Sequence, residues 1–337
     1  MRISAVTPMK NEGPFILEWL VWHRLVGFND FLVFTNDCED GTDLILERLD
    51  ELGLVRHLPN PSMSVQSENH HWHVMRYVNT SPRLLRSDWY ASFDVDEFWV
   101  IKTGAGRIED LAAALPEAEF ISAPQIDFGC DGHETFDPDT PVTARFLRSA
   151  NYREIAPDGS VRKKGIKTLV RRGAPVARIG NHSPWIDPEA ADRTVWVNGS
   201  GERLPAEMLG NQIKSLRGPQ LGSDLVHLNH YVLRSMEDFL VKSDRGDANH
   251  ADNAPRAPYF RQHNKNVVAN ETALAFQSDL RDGIDELLKD AELRRLHEAS
   301  VAHRRARIAE LRATPEGAAL MDRMKAIHAK SEAARAA

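Results

Sequence analysis

Three acidic residues interrupt an aromatic, apolar run at residues 89–100, WYASFDVDEFWV: Asp94, Asp96 and Glu97. Buried carboxylates are costly unless a cation or hydrogen-bond donors face them. In an extended strand, residues two apart point to the same side, so Asp94 and Asp96 are expected to share one face and to repel each other. A divalent ion such as Mg²⁺ or Mn²⁺ prefers such oxygen ligands and leaves positions for phosphate. The chemistry indicated is a metal ion that holds a nucleotide diphosphate, although an Asp-x-Asp triplet alone favours a solvated strand end.

The composition excludes several classes of protein. The chain has 337 residues, of which 42% are hydrophobic and 27% charged, as in globular proteins of one large or two modest domains. A formal net charge of −7 argues against a nucleic-acid partner. The two cysteines, Cys38 and Cys130, are isolated, which argues against a disulfide framework. Because the first residues lack a secretory signal and the most apolar stretch carries charges, we expect a cytoplasmic protein. Peripheral attachment at the inner face of the membrane stays open.

Strands and helices alternate over the first hundred residues. The pattern predicts strands at RISAVTPM, DFLVFTND, LVRHLP and DWYASFDVDEFWV, separated by helices at NEGPFILEWLVWHRLVG, EDGTDLILERLDELG and SENHHWHVMRYVNTSP. This alternation predicts an α/β fold with a doubly wound, mostly parallel, Rossmann-like sheet. Because ligands of such sheets bind beyond the carboxyl ends of the strands, we expect the polar clusters 7–12, 35–40 and 94–97 to meet on one rim.

The remainder of the chain is less regular. Residues 181–225 are rich in Gly, Pro and polar residues and are predicted to be irregular, the segment 235–246 is predicted to be helical, and residues 247–266 are predicted to form a long polar loop. From about residue 271 onward, apolar residues recur at helical spacing. We expect a catalytic domain over residues 1–270 and a helical C-terminal extension over residues 271–337.

Five segments, in the same order, resemble the GT-A glycosyltransferases: residues 9–42, 88–100, 127–133, 167–171 and 230–246. More narrowly, they resemble bacterial proteins of the inverting glycosyltransferase family 2, which also contains cellulose-synthase-like catalytic domains. The N-E-x(5)-E-W start is similar to galactan-type transferases. The resemblance implies a GT-A type sheet. It also implies that the loops after the first and second strands bind the nucleotide.

The resemblance implies roles for individual residues. The loop after the first strand would contact the donor, and Asp37 or Asp40 would accept a hydrogen bond from the uracil or the ribose. Asp94 would contact the donor and share the metal ion with Asp96, and a distant histidine would complete the metal shell. His230 is favoured for that place and His182 is the alternative. The donor-binding residues implied are Thr7, Lys10, Glu12, Asp37, Asp40 and Asp94.

An inverting transferase also needs a base near the acceptor hydroxyl. The loop DFGCDGHETFD offers Asp127, Asp131 and Glu134, without a clear match to the family pattern, and we take Asp131 as the candidate. The cluster of His70, His71 and His73 lacks the further ligands that a tetrahedral zinc site requires.

These observations predict a metal-dependent, inverting glycosyltransferase. It would use Mn²⁺ or Mg²⁺ to move a sugar from a nucleotide-sugar donor, expected to be UDP-linked, to a saccharide or lipid-linked acceptor. Two alternatives stay open: a sugar nucleotidyltransferase, although only one Gly follows the first strand, and a non-catalytic nucleotide- or glycan-binding protein.

Overall fold

The computed structural model describes residues 1–81, 83–152, 163–244 and 257–336. Its strands are β1 (Ile3–Met9), β2 (Asp30–Thr35), β3 (Arg56–Pro59), β4 (Trp89–Ser92), β5 (Glu97–Ile101), β6 (Phe120–Asp127), β7 (Arg148–Ser149), β8 (Lys164–Arg171), β9 (Val176–Arg178), β10 (Trp185–Ile186), β11 (Trp196–Asn198), β12 (Ser215–Leu216), β13 (Val226–His230) and β14 (Val268–Ala269). Its helices are α1 (Ile16–Leu25), α2 (Thr42–Glu51), α3 (Ser62–Val65), α4 (His70–Thr80), α5 (Ile108–Ala114), α6 (Val142–Arg145), α7 (Met236–Asp244), α8 (Ala257–His263), α9 (Gln277–Leu287), α10 (Ala291–Ala313) and α11 (Pro315–Ala336).

The main sheet has the order β3-β2-β1-β4-β8-β6-β13-β5, with β11 paired to β6 and β12 to β8. Strands β3, β2, β1 and β4 are parallel, and β6 and β13 are parallel to each other. Strand β8 runs antiparallel between β4 and β6, and β5 closes the edge antiparallel to β13. This arrangement confirms the predicted α/β fold with a mostly parallel sheet and helices at the C-terminal end.

The segment predicted as a single fourth strand is two strands. Strand β4 pairs with β1 in the middle of the sheet, whereas β5 pairs with β13 at the edge. The chain turns between them, and the backbone N–H of Glu97 donates to the carbonyl of Asp94 at 3.1 Å. Asp94 and Asp96 therefore lie in a turn and not in an extended strand, so the strand geometry from which a shared face was predicted is wrong. The sequence stays aromatic and apolar on both sides of the turn because both strands are buried.

Aromatic packing fixes this turn in place. Phe93 is fully buried, and its ring centroid lies 4.6 Å from that of His23 and 5.5 Å from that of Trp19, both on α1. Val95, between the two aspartates, is 5% exposed. Burying side chains of this size contributes roughly 1.5–3 kcal/mol each. The two apolar residues hold the turn against the core and leave the carboxylates at the sheet rim.

Helices α9, α10 and α11 form the predicted helical C-terminal region, and they pack on the sheet-bearing part of the chain. Leu280, Leu293 and Leu296 belong to the same core as β1 and α1. Helix α10 approaches the loop after β1 so closely that a Cβ on Gly13 would lie 2.0 Å from Ser300 Oγ. Only a glycine fits under α10 at this contact.

Two further local expectations differ from the structure. The first predicted helix, whose segment starts at Asn11, begins only at Ile16: Asn11 has a positive φ of 55°, and its side chain accepts a hydrogen bond from the backbone N–H of Glu39 at 2.8 Å. The predicted polar loop 247–266 contains α8 at residues 257–263. The first part of that loop, 247–256, lies outside the described residues.

Candidate active site

The three predicted polar clusters meet on one rim of the sheet. Thr7 donates its hydroxyl to the carbonyl of Phe93 at 2.9 Å, which joins the end of β1 to the Asp-x-Asp turn. Asp40 accepts the backbone N–H of Gly13 at 3.0 Å, which joins the loops after β1 and β2. These contacts confirm the convergence that the strand pattern predicted.

Asp94 is held by a buried lysine. Lys167 Nζ, on β8, donates to Asp94 Oδ2 at 3.0 Å and lies 3.3 Å from Glu97 Oε2. The side chains of Lys167 and Glu97 are fully buried, whereas that of Asp94 is 32% exposed. His71 Nε2, from α4, lies 3.8 Å from Asp94 Oδ1. Asp94 thus has a cation behind it and presents an edge to solvent.

The pKa values of this group follow from burial and charge. Burial disfavours the charge on Lys167, but Asp94 and Glu97 more than offset this and raise the pKa of Lys167. Burial, countered in part by Lys167, raises the pKa of Glu97 to about 7. Glu97 also accepts hydrogen bonds from the backbone N–H of Asp94 and from the amide of Gln125. Glu97 therefore anchors the turn through these hydrogen bonds and its contact with Lys167.

Asp96 has different partners. Lys242 Nζ, on α7, donates to Asp96 Oδ2 at 3.0 Å and to the carbonyl of Val232 at 2.9 Å. His230 Nε2, at the end of β13, lies 3.8 Å from Asp96 Oδ1. The structure therefore brings together Asp96 and His230, which are 134 positions apart in the sequence.

A second carboxylate orients His230. Its Nδ1 donates to Asp127 Oδ1 at 2.8 Å, and His263 Nδ1, on α8, donates to Asp127 Oδ2 at 3.0 Å. Burial disfavours the imidazolium, but Asp127 and Asp96 more than offset this and raise the pKa of His230 to about 9. Burial alone would raise the pKa of Asp96, yet Lys242, His230 and Arg234 hold it well below its usual range.

Glu12 is bound across the rim by an arginine. Arg234 Nη1 donates to Glu12 Oε2 at 2.8 Å, and both side chains are less than one-tenth exposed. The guanidinium lies 3.5 Å from the ring centroid of Phe15. Arg234 has a positive φ of 55°, a conformation that is uncommon outside glycine. The pair fixes the loop after β1 to the loop after β13.

Several of the predicted donor-binding residues support the loops. Thr7 is fully buried, so its hydroxyl is closed to a ligand in this structure. Asp40 is 6% exposed, and its second oxygen accepts the backbone N–H of Thr42 at 2.9 Å. That bond is the Asx turn typical of such a segment, and Gly41 follows it with a φ of 82°. Glu12 is occupied by Arg234 as described. The buried side chains of Thr7, Glu12 and Asp40 therefore support the loops of the rim and are not exposed to a ligand.

Two others line open cavities. Asp37 lies in the wall of a cavity of about 770 Å³ at the carboxyl ends of β2 and β3, together with Asn36 and His57. Lys10 lies in the wall of a cavity of about 260 Å³ between the loop after β1 and α10, which also contains Arg304 and Arg307. Asp37 and Lys10 therefore stay accessible at the rim.

The alternative metal ligand, His182, lies on the Asp94 side. Its Nδ1 contacts the carbonyl of Ile166 at 3.1 Å, and burial together with the charge of Lys167 lowers the pKa of His182 to about 4. The candidate base Asp131 has other neighbours. Its backbone N–H donates to Asn266, and Arg148 Nε lies 4.0 Å from its carboxylate.

The donors around Asp96 fit a hard divalent ion that takes its remaining ligands from phosphate and water. Within the described residues, no group of three or more His, Cys, Asp or Glu side chains is arranged to hold a metal ion. Asp96 and His230 offer two ligands that face each other, and Mg²⁺ commonly takes only one or two protein carboxylates beside substrate phosphates. Asp127 behind the imidazole is a usual support for a metal-binding histidine. The ion would compete with the proton on His230.

The model of glycosyltransferase family 92 matches residues 3–222, well over half of the chain. The chain belongs to glycosyltransferase family 92. This confirms that it is a glycosyltransferase, but family 92 is not the family that the sequence resemblance named. A curated family 92 protein of Ricinus communis is 27% identical over 105 residues, which cover 31% of this chain and 18% of the relative. A second match of the same description is 28% identical over 110 residues. This family 92 chain thus spans less than a fifth of the length of the curated relatives it matches.

Among solved structures, TarS of S. aureus (residues 1–349) in complex with UDP is 15% identical, with 72% of this chain and 63% of that chain covered and a TM-score of 0.32. Glucosyl-3-phosphoglycerate synthase of Mycobacterium tuberculosis is 15% identical, with 62% and 75% covered and a TM-score of 0.30. TM-scores this low identify neither a function nor shared site residues. In the described part of this family 92 protein, no helix has the length and apolarity needed to cross a bilayer.

Proposed function

We propose that this family 92 glycosyltransferase transfers a sugar, with inversion, from a UDP-linked donor to a saccharide or lipid-linked acceptor, and that Mn²⁺ or Mg²⁺ takes part. The observation that carries the proposal is the arrangement at the sheet rim. Asp96 faces the imidazole of His230 at 3.8 Å and the ammonium group of Lys242 at 3.0 Å. An oxygen and a nitrogen ligand beside a lysine suit a diphosphate that binds with a divalent ion.

The donor would lie along the carboxyl ends of the parallel strands. The cavity of about 770 Å³ beside Asp37 is large enough for a nucleoside. From there the diphosphate would cross the rim past Lys10 toward Asp96. Lys10 would meet the phosphates as a point charge.

The chain's own cations would stabilise the leaving group. As the bond to the anomeric carbon breaks, negative charge grows on the diphosphate, and preorganised cations lower the energy of that state. Lys242 is 21% exposed and already placed at Asp96, so it would neutralise this charge. A divalent ion held by Asp96 and His230 would act as a Lewis acid on the same phosphates. Lys167 would remain the counter-ion of Asp94 and Glu97, keeping the turn in place.

A groove between α8 and α11 supports a peripheral contact. It has a volume of about 640 Å³ and is lined by Arg261, Arg323 and Lys330, with no acidic residue among the described lining residues. Each basic side chain near an anionic surface contributes about 1 kcal/mol. Replacing all three by Gln should abolish sedimentation with phosphatidylglycerol vesicles at low salt. Unchanged sedimentation would remove the membrane contact from the proposal.

The central test is ligand-dependent thermal stability. UDP-glucose, UDP-galactose and UDP-N-acetylglucosamine are screened with Mn²⁺ and with chelator, on the parent and on Asp96→Asn. We expect stabilisation by at least one compound that needs the ion and is lost in the variant. Asp279→Asn, an exposed acid on α9, is the matched control and should behave as the parent. Equal stabilisation under chelator would contradict the metal-assisted reaction.

The alternatives are separated by products. A sugar nucleotidyltransferase would consume UTP and a sugar phosphate and release pyrophosphate, whereas a transferase releases UDP from the sugar nucleotide. A binding protein would be stabilised by the donor without releasing UDP. Membership of family 92 favours the transferase.

A further inference from the structure

We propose that His263, oriented by Asp127, is the general base that accepts the proton of the attacking hydroxyl. This inference rests on the proposed function and assigns a residue that the sequence analysis did not identify. The sequence offered only loop acids for this role, with Asp131 as the candidate. A base oriented by a third group is a recurrent catalytic arrangement.

The geometry begins at the end of β6. Each oxygen of Asp127 accepts one hydrogen bond, from His230 Nδ1 at 2.8 Å and from His263 Nδ1 at 3.0 Å. An ionised carboxylate only accepts hydrogen bonds, so Nδ1 of each ring carries the hydrogen. In the neutral ring the lone pair is then on Nε2. Asp127 thus lies between two histidines: His230, which faces Asp96, and His263.

The same arrangement makes Asp127 itself a poor base. Each of its two oxygens accepts a hydrogen bond from a histidine ring, so the carboxylate is engaged in orienting both rings. Its negative charge would instead stabilise an imidazolium formed on His263, as the aspartate of a catalytic triad does. The side chain of His263 is 17% exposed, and its ring lies 4.3 Å from that of Tyr259. His263 is thus held in place without being closed off.

The other loop acids are engaged elsewhere. Glu134 forms an ion pair with Lys325 of α11 at 2.6 Å, and the carboxylate of Asp131 faces Arg148 at 4.0 Å. Within the described part of the chain, neither carboxylate forms a hydrogen bond or an ion pair with Asp96 or His230. His263, in contrast, is linked to the proposed metal ligand His230 by the hydrogen bonds of a single residue, Asp127.

The step is balanced as a single displacement. His263 Nε2 accepts the proton of the acceptor hydroxyl, and the acceptor oxygen forms its bond to the anomeric carbon. The bond from that carbon to the diphosphate oxygen breaks, and its electron pair leaves with UDP. The proton on His263 then passes to solvent, which returns the neutral ring.

The test uses chemical rescue, with water as the acceptor and UDP release as the readout. The donor is the UDP-sugar that stabilises the parent most. We expect His263→Ala to lower kcat by about 100-fold or more, to bind UDP with Mn²⁺ as the parent does, and to regain UDP release when imidazole is added. Imidazole should not restore UDP release by Asp96→Asn, because that variant lacks a ligand of the metal ion and still has its base. His263→Gln, which keeps a polar side chain of similar length, should be folded and equally slow.

Several outcomes would overturn the assignment. Release of UDP by His263→Ala within threefold of the parent would show that the ring is not the base. Loss of UDP binding in both His263 variants, or absence of imidazole rescue, would assign the ring a purely structural role. In these cases the parent still binds and hydrolyses the donor, so the proposed function stands. If the parent releases UDP from none of the three compounds, the proposed function and the base both fail.

Discussion

The ammonium group of Lys242 lies 3.0 Å from Asp96 Oδ2, although the two residues are 146 positions apart in the chain. The neighbouring aspartate, Asp94, is bound at the same distance by a different lysine, Lys167, which is fully buried. The two lysines have different exposure, so they are expected to have different duties. We expect Lys242 to bind the proposed ligand and Lys167 to stabilise the fold.

Replacing Lys242 should weaken donor binding with little loss of stability. Lys242→Met removes a partly exposed cation that faces the proposed diphosphate, and a lost charge-assisted contact corresponds to about a tenfold or greater increase in Kd. Titration calorimetry with UDP and Mn²⁺ measures this. Lys242→Arg keeps the charge and should retain most of the affinity. Unaltered UDP affinity in Lys242→Met would exclude the lysine from the phosphate site.

Replacing Lys167 should instead destabilise the protein. Lys167→Met leaves Glu97 buried without its counter-ion, and breaking a buried pair in this way costs about 3–5 kcal/mol. Urea denaturation at neutral pH measures the free energy of unfolding. The double variant Lys167→Met with Glu97→Gln should recover part of the loss, because the stranded charge is removed as well. Additive effects of the two changes would contradict this coupling.

The glycine under α10 should be intolerant of a side chain. A Cβ on Gly13 would lie 2.0 Å from Ser300 Oγ and 2.9 Å from Ser300 Cβ, so Gly13→Ala should destabilise by about 1–3 kcal/mol. Gly210→Ala is the matched control, since a Cβ there meets nothing within 4 Å. Adding Ser300→Gly to Gly13→Ala should lessen the thermal destabilisation. A Gly13→Ala protein that melts with the parent would disprove the close contact.

Stability should fall as the pH is lowered because of a buried neutral histidine. His23 is fully buried, its Nδ1 contacts the carbonyl of Trp19 at 2.7 Å, and burial lowers the pKa of His23 to about 3. The unfolded chain takes up this proton near pH 6.5 and the folded chain does not, so stability is lost as the pH falls below that value. From pH 7 to pH 5 the loss is about 2 kcal/mol.

The control for this titration is His23→Gln, which keeps a donor and an acceptor but does not ionise in this range. Denaturation of both proteins at pH 7 and pH 5 gives the difference directly. The parent should lose about 2 kcal/mol more than the variant between the two values. A parent and a variant with the same pH dependence would mean that His23 is not the responsible group.

Much of the sheet could be predicted from the sequence because its signals are local. The apolar runs of β1 and β2 and the helical spacing of α1 and α2 depend only on neighbouring residues. The break between β4 and β5 left no such signal, since both halves are equally aromatic and buried. As a result, the prediction that Asp94 and Asp96 lie in an extended strand failed, although their place at the rim was correct.

The site depends on contacts over long distances in the chain, and these have no local pattern. The bonds of Lys167 to Asp94 and of His263 to Asp127 span 73 and 136 positions. His230 was identified through the resemblance of its segment, whereas His263 lies in a stretch whose polar composition predicted a loop. The type of chemistry was therefore predictable, but the partner of each carboxylate was not.

The contact between Gly13 and Ser300 links two distant parts of the polypeptide to one another. Glu12, beside Gly13, is bound to Arg234 next to the cleft. The position of α10 against Gly13 therefore affects the shape of the rim. Hybrid enzymes that exchange the last helices between relatives would then have to carry both halves of this contact together. An enzyme that received a foreign α10 without a matching residue 13 would lose its cleft before its hydrophobic core.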